Sequence, residues 1–370
     1  MRISLLILLV CFSVNAQYQT LFQSGDLGYE CFRIPAIVGS GSKLYAFAEG
    51  RKGGCGDFGD VDVLLRTSND GGENWTEPKV VVDNGNLQAG NPTPVMDMLN
   101  PEYPEGRLIL FYNTGTQSEW ETRSGNGRRK AFYKFSSDFG MSWSEPIDIS
   151  NEVHFDQYSN VDFIDARTFA LGPGHAIQLS LGSKKGRIYL PANHSLGEPQ
   201  ENFADYRSYG IYSDDFGMSW EVTQDLMAPS SNEAMAVELP ENELLLLVRM
   251  QNNRDHSKMI ARSLDNGSSW KEYRLVPELT SPVCQSSIIY IPESDHLYHL
   301  GPASTEKREG LTLWRSSDRG RSWNTLELIE SGFAAYSDII QLSNTGLGVV
   351  FESEDYGKIV FKRIAIKPTD

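Results

Sequence analysis

The chain has 370 residues, with 33 basic against 49 acidic side chains and a formal net charge of −16. That balance argues against a nucleic-acid partner, because phosphate binding wants a basic face. It leaves room for an anionic small substrate, since a cluster of arginines dominates the field of its own pocket.

From the N-terminus, Met1 to Ala16 reads as a secretory leader. Arg2 is the basic start, Leu5 to Phe12 the apolar core, and Val14-Asn15-Ala16 supplies the small residues of a cleavage site. Cys11 follows Val10, a poor match to a lipid-attachment motif, so no lipid anchor is expected. No later stretch reaches the roughly 20 apolar residues of a membrane-spanning helix. Export places the mature chain outside the cell or in a periplasm, with the lysosome as the eukaryotic alternative. Residues 17–370 contain no linker, charge block or low-complexity run and are expected to form one monomeric domain. Cys31, Cys55 and Cys284 survive removal of the leader. Cys31 and Cys55 flank a strand and its following loop and form the candidate pair; geometry decides whether they bond.

Along the mature chain Gly and Pro are frequent and long helical periodicity is missing. Strand-like runs recur at Lys43 to Ala48, Arg107 to Tyr112, Arg187 to Pro191 and Leu244 to Val248. One phrase, Ser-x-Asp-x-Gly-x-x-Trp, is written five times: Ser68 to Trp75, Ser136 to Trp143, Ser213 to Trp220, Ser263 to Trp270 and Ser316 to Trp323. A repeat of this period points to stacked or radially arranged β units. Each copy reads as a tight turn in which Asp accepts backbone N–H bonds, Gly supplies a positive φ, and Trp folds back as a plug between sheets. Asp70, Asp138, Asp215, Asp265 and Asp318 are therefore assigned to structure. The length suits six propeller blades of about 55 residues or two ordinary domains. Asn74-Trp75-Thr76, Asn193-His194-Ser195 and Asn266-Gly267-Ser268 are glycosylation sequons, meaningful only in a eukaryote.

Chemistry is sought where charge interrupts apolar strands. Arg33 lies in Cys31-Phe32-Arg33-Ile34-Pro35-Ala36-Ile37, Glu49 and Arg51 end Ala46-Phe47-Ala48-Glu49-Gly50-Arg51, and Arg249 ends the run Leu244 to Val248. A buried arginine is costly unless an anion or carboxylate meets it. Alone, each reads as a structural salt bridge. Together, on a fold whose strand ends converge on one axis, they suggest a shared anion site. His296 and His299 are the only close histidine pair, and with no further ligand set they do not read as a zinc site.

The Phe32-Arg33-Ile34-Pro35 motif followed by repeated Asp boxes resembles the exo-α-sialidases (neuraminidases) of the large bacterial and animal type, over essentially the whole mature chain. The resemblance implies an all-β, six-bladed β-propeller with the active site at the centre of one face. It implies retaining hydrolysis of terminal sialic acids from glycoproteins, glycolipids and oligosaccharides, with no cofactor and no catalytic metal. The family's arginine triad, which grips the substrate carboxylate, falls on Arg33, Arg249 and Arg308, with Arg315 the alternative for the third. Guanidinium groups suit this work because they stay charged and present a planar fork. Glu352 resembles the carboxylate that supports Arg33, and Glu49 is a second candidate for that task.

Because sialic acid carries a carboxylate on its anomeric carbon, an anionic nucleophile meets like-charge repulsion, and sialidases use a tyrosine instead. Tyr336, in Ala335-Tyr336-Ser337-Asp338, matches that nucleophile, and Glu233 matches its base. The acid/base aspartate is expected in the glycine-rich loop Gly53 to Asp62, at Asp57, with Asp60 as runner-up and Asp62 assigned to structure. Arg51 resembles the residue near the sugar's 4-hydroxyl, and Asn91 belongs to a loop on the N-acyl side. Trp120 to Arg129 is expected to be a rim loop. Two alternatives remain: a trans-sialidase with the same catalytic residues, and a non-catalytic Asp-box propeller that binds glycans.

Overall fold

The computed structural model describes residues 18–154, 165–252 and 254–366, and the expected leader, Met1 to Ala16, lies outside the described residues. Short apolar runs punctuated by Gly, Pro and Asn build antiparallel hairpins one after another. The first sheet joins Cys31–Ser40, Lys43–Arg51, Val61–Ser68 and Lys79–Val82 in chain order. The second joins Gly90–Asp97, Arg107–Gly115, Arg129–Ser136 and Ile147–Asp148. In the third, the short strands Ala170–Leu171 and Ile177–Gln178 both pair with Ile188–Ser195, and Tyr206–Ser213 and Glu221–Val222 follow. The fourth joins Ser231–Leu239, Glu243–Met250, Ser257–Ser263 and Glu272–Thr280.

The remaining strands form one seven-stranded sheet, because Asn324–Ser343 serves two hairpins. Its first half pairs with Glu309–Ser316 and its second half, from Ala334, with Gly346–Ser353. At the far edge Gln19–Gln23 pairs with Lys358–Ala365, with Gln19 opposite Phe361. The N-terminal strand thus covers an edge that would otherwise be exposed. The first strands of neighbouring sheets pack side by side: Cys31–Ser40 lies against both Gly90–Asp97 and Asn324–Ser343, and Ser231–Leu239 against Ser287–Ile291. The result is an all-β, propeller-like fold.

The five repeated phrases form the same turn each time. In the third, Ser213 Oγ donates to Asp215 Oδ1 at 2.7 Å and accepts from Gly217 N–H at 2.7 Å, while Asp215 Oδ1 accepts from Ser219 N–H at 2.9 Å. Two successive residues there take positive φ, Phe216 at 58° and Gly217 at 90°, which the glycine adopts without steric cost. The Trp residues plug the gap between adjacent sheets. Trp220 meets Phe111 of the second sheet edge-on at 5.1 Å, Trp143 meets Phe47 of the first at 6.2 Å, and Trp75 meets Phe361 at 5.2 Å. Stacking each blade on its neighbour is therefore the work of the repeat.

Two expectations are corrected. The rim segment after Ser118 is a short helix, Glu119–Arg123, because Ser118 and Glu121 close a reciprocal capping box. Asn193 lies in strand Ile188–Ser195 at 3% exposure, so burial removes this sequon from reach of any glycan.

Trp220 is 2% exposed. Trp220→Ala should destabilise the fold by about 3–5 kcal/mol through the cavity it leaves, read as a lower urea midpoint, with ligand binding by the molecules that remain folded unchanged. Equal midpoints for variant and parent would contradict the plug role.

Candidate active site

A cavity of about 360 Å³ opens where the inner strands converge. Arg33, Arg51, Asp57 and Asn91 line one part of it, and Glu233, Arg249, Arg308 and Tyr336 another. Backbone irregularity places them. The ladder shifts register between Arg33 and Ala36, between Gly90 and Thr93, between Ser231 and Ala234, and between Ala334 and Ser337. Four inner strands thus carry a bulge at the residue that faces the cavity, which re-aims a side chain out of the regular alternation. At the first bulge Ile34 takes φ 56°, unusual for a β-branched residue, and Pro35 has no N–H to give.

Glu352, with its side chain fully buried, organises one side. Its Oε1 accepts from Arg33 Nε at 2.7 Å and from the Ile34 N–H at 2.8 Å, while Oε2 accepts from the Tyr336 N–H at 3.1 Å. Glu49 does not share this task. Glu49 and Arg51 stand two apart on one strand and so on one face, and Glu49 Oε2 accepts from Arg51 Nε at 2.8 Å and from a terminal nitrogen at 2.6 Å. Its other oxygen accepts from the Asn91 N–H at 2.7 Å. The expectation that Glu49 might hold Arg33 is therefore corrected: Glu49 belongs to Arg51.

The nucleophile candidate stands in a closed triangle. Tyr336 Oη donates to Glu233 Oε1 at 2.5 Å, and Arg249 Nη1 donates to Glu233 Oε2 at 2.5 Å and to Tyr336 Oη at 2.7 Å. Arg33 and Arg308 each lie 5.2 Å from the centre of the Tyr336 ring. Burial pushes the Tyr336 phenol well above its ordinary pKa; Arg249 opposes that shift and Glu233 adds to it. The phenol is neutral at rest.

Asp57 projects from the loop between Lys43–Arg51 and Val61–Ser68, its side chain 76% exposed at the cavity mouth. Its Oδ1 accepts from Arg51 Nη1 at 2.8 Å and from Arg33 Nη1 at 3.5 Å. Partial desolvation by the surrounding cavity wall raises its pKa, but Arg51, Arg33 and Arg308 outweigh that and hold it below the ordinary carboxylate value. Asp60 and Asp62 face elsewhere: both pair with Lys52 Nζ at 3.0 Å, and Asp62 also accepts from Tyr29 Oη at 2.6 Å. Cys31 and Cys55 form a disulfide that ties the Asp57 loop to the base of the first inner strand. Closing this loop is worth about 3 kcal/mol.

Arg308 reaches the cavity, and Arg315 does not; it lies at the other end of the same strand, opposite Tyr298 and Asn324. Among the described residues no carboxylate pairs with Arg308. It donates to Tyr356 Oη at 2.9 Å and to the Val283 carbonyl at 3.1 Å. Tyr356 was not foreseen, although its ring also lies 4.3 Å from the Arg33 guanidinium. It sits in the turn 354–357, where Glu354, Asp355 and Tyr356 all take positive φ; Asp355 and Gly357 mark that turn in the sequence but not that its tyrosine meets two arginines. Trp120, Arg123 and Arg129 line the wall from the segment expected at the rim, whereas Gln88, which donates to the Asp57 carbonyl at 2.9 Å, Asn193 and Tyr206 were missed as wall residues, being ordinary polar and aromatic types without a catalytic motif. Among the described residues no cluster of three or more His, Cys, Asp or Glu side chains could hold a metal, and no helix is long and apolar enough to cross a membrane.

A propeller-like fold whose central cavity is lined by arginines, a tyrosine–glutamate pair and a loop carboxylate defines a class of architecture rather than a single protein. The description "BNR repeat-like domain" matches residues 42–349, and the chain belongs to that family. It is similar to sialidase-2 of Cricetulus griseus, 25% identical over 379 residues covering 95% of this chain and 96% of that one. It is also similar to an exo-alpha-sialidase of Aspergillus fumigatus, 27% identical over 371 residues covering 90% and 80%. Among solved structures, the Hadza microbial sialidase Hz136 shares the fold with a TM-score of 0.78 at 22% identity, over 94% of this chain and 68% of that one.

Glu352→Ala should leave the buried Arg33 charge uncompensated and cost about 3–5 kcal/mol, measured by urea unfolding. A loss below about 1 kcal/mol would mean that Glu352 does not organise this side of the site.

Proposed function

We propose that the chain is a retaining exo-α-sialidase that attacks the anomeric carbon of a terminal sialic acid with Tyr336. It is a glycoside hydrolase, in keeping with its sialidase relatives. A six-bladed propeller is part of this reading, supported by the seven-stranded sheet, in which Asn324–Ser343 serves two hairpins. The observation that carries the reading is the triangle of Tyr336, Glu233 and Arg249, set beside the arginines of the cavity.

The chemistry follows from charge. The substrate carboxylate is gripped by Arg33, Arg249 and Arg308 through charge-assisted bonds, each worth on the order of 1.5–3 kcal/mol. A carboxylate nucleophile would repel that group, whereas a neutral phenol does not. Glu233 takes the phenol proton as the bond to the anomeric carbon forms, and the Arg249 donor on Tyr336 Oη stabilises the charge that develops there. Asp57 protonates the departing glycosidic oxygen, then removes a proton from the water that releases the sugar with retention. Arg51 and Asn91 line the wall available to the ring's other substituents.

Asp57 is an ionised carboxylate in the free site, held so by three guanidinium groups. Substrate binding places a carboxylate on Arg33 and Arg308, cancels part of that field and raises the pKa of Asp57, so the acid becomes competent only in the complex. A depressed free-state pKa means the protonated form is lost early as pH rises. The alkaline limb governed by Asp57 should therefore lie at higher pH in kcat, which reports the complex, than in kcat/KM, which reports the free enzyme. Identical limbs in sialyllactose kinetics would refute the coupling.

Mutation separates the two roles. Asp57→Ala should slow sialyllactose by about 100-fold or more, but an aryl sialoside by less than about tenfold, because an aryl oxygen leaves with little protonation. Tyr336→Phe should slow both by about 100-fold or more, about 2.7 kcal/mol of barrier. A fluorinated sialosyl inactivator should label Tyr336; a label on a carboxylate would overturn the assignment. Absence of any sialic acid release by the wild-type protein would leave the non-catalytic glycan-binding alternative in its place.

A further inference from the structure

Below the triangle lies a charged residue that the reaction does not use. Lys258, on strand Ser257–Ser263, is 1% exposed. An apolar side chain of similar size would fill this space without the cost of burying an ammonium, a cost reflected in a pKa pushed down by burial to about 8. The charge is retained against that penalty, and its contacts suggest why. Lys258 Nζ donates to the backbone carbonyl of Cys284, which lies in a buried segment, residues 281–286, between two strands and outside any ladder. Carbonyls of such a segment need partners other than strand neighbours.

The tripeptide Val283-Cys284-Gln285 touches two parts of the site at once. The Val283 carbonyl accepts from Arg308 at 3.1 Å. The Gln285 carboxamide accepts from the Ser337 N–H at 3.0 Å and donates to the Ser337 carbonyl at 3.0 Å, bracketing the residue next to Tyr336. The Cys284 side chain is buried in one cluster with Ile34, Ala335 and Tyr336. Ser337 resumes the ladder with Gly346–Ser353, opposite Phe351, directly after the bulge that carries Tyr336, and the Gln285 amide takes its N–H and its carbonyl.

We propose that Lys258 is a positioning residue: by anchoring the Cys284 carbonyl it fixes the Val283–Gln285 segment, and that segment sets both Arg308 and the backbone that carries Tyr336. Lys258 does not line the cavity and touches no reacting atom. The groups that interact electrostatically with it are Glu233, Arg249, Arg308, Cys284 and His299, all at or beneath the site. Its burial serves geometry at the cost of stability.

The proposal rests on the sialidase reading for its probes, and the two can fail separately. The test compares Lys258→Met and Gln285→Leu with the wild-type protein by thermal melting, affinity for a dehydrated sialic acid analogue, and rate of covalent labelling by a fluorinated sialosyl inactivator. Lys258→Met should melt within a few degrees of wild type, or above it, because an apolar isostere relieves the buried charge. It should nevertheless bind the analogue about tenfold more weakly and label about tenfold more slowly. Gln285→Leu removes the bonds to Ser337, with longer ones to the Pro173 carbonyl and Met235 Sδ, but leaves the Val283 carbonyl on Arg308, so labelling should slow while analogue affinity holds. A merely structural lysine would shift the melt and leave affinity and labelling per folded molecule unchanged, and that result overturns the proposal. If Lys258→Met does not fold, Gln285→Leu decides alone, and a wild-type labelling rate in it overturns the proposal. Failure of the wild-type protein to bind the analogue or to be labelled would instead count against the sialidase reading.

Discussion

The buried carboxylate of Glu352 is the contact on which the centre of this molecule depends. It stands on the strand Gly346–Ser353 of the last sheet and bonds both the side chain of Arg33 and the backbone N–H of Ile34 on the first strand of the first sheet. Its second oxygen takes the N–H of Tyr336. One group therefore joins the two ends of the ring at the axis, compensates a buried guanidinium and supplies partners for two backbone donors that bulges have released from their ladders. An isolated buried ion pair does little for stability, but here the carboxylate's lone pairs are used by hydrogen bonds as well as by charge.

Around that contact the site is a balance of buried like charges. Arg33, Arg51 and Arg249 each have a carboxylate close by, Glu352, Glu49 and Glu233, whereas the bonds of Arg308 among the described residues go to a phenol and a carbonyl. Pairing of this kind keeps the guanidinium groups fixed in the wall that an anion entering the cavity would meet. A chain with formal charge −16 thus lines its centre with six arginines against three carboxylates, and at distances below a Debye length that local arrangement outweighs total charge.

Rigidity outside and irregularity inside divide the labour of the fold. The outer turns repeat one hydrogen-bonded design, and their tryptophans lock neighbouring sheets. The inner strands break their ladders at Arg33, Asn91, Glu233 and Tyr336. Bulges and a residue such as Ile34 at positive φ persist only where surrounding structure over-determines them, and the locked sheets supply that constraint. The disulfide extends the same logic to the Asp57 loop, which is exposed and is also held by Arg51, Arg33 and Gln88 around Asp57 and by the Lys52–Asp60 pair at its base.

By itself the sequence determined what depends on local pattern. The alternation of apolar runs and turns defined strands, and the five-fold phrase defined a repeated turn whose aspartates bond their own backbone; both are interactions between near neighbours. Charged residues in apolar strands marked Arg33, Arg51 and Arg249, because burying charge is costly wherever the strand is placed. The motif resemblance then directed attention to Asp57, Glu233, Arg308 and Tyr336. Tertiary structure decided which charges meet. Glu49 pairs with Arg51 rather than Arg33 because the two share one strand face, while Glu352 reaches Arg33 across 319 residues of chain. Arg308 rather than Arg315 enters the cavity because they lie at opposite ends of one strand. Tyr356, Gln88 and Lys258 carry no pattern that a linear reading detects: Gln88 and Lys258 meet partners 31 and 26 residues away on neighbouring segments, and Tyr356 meets Arg33 only after the ring closes. Pairing across that ring is a property of three-dimensional distance, which local propensity does not encode.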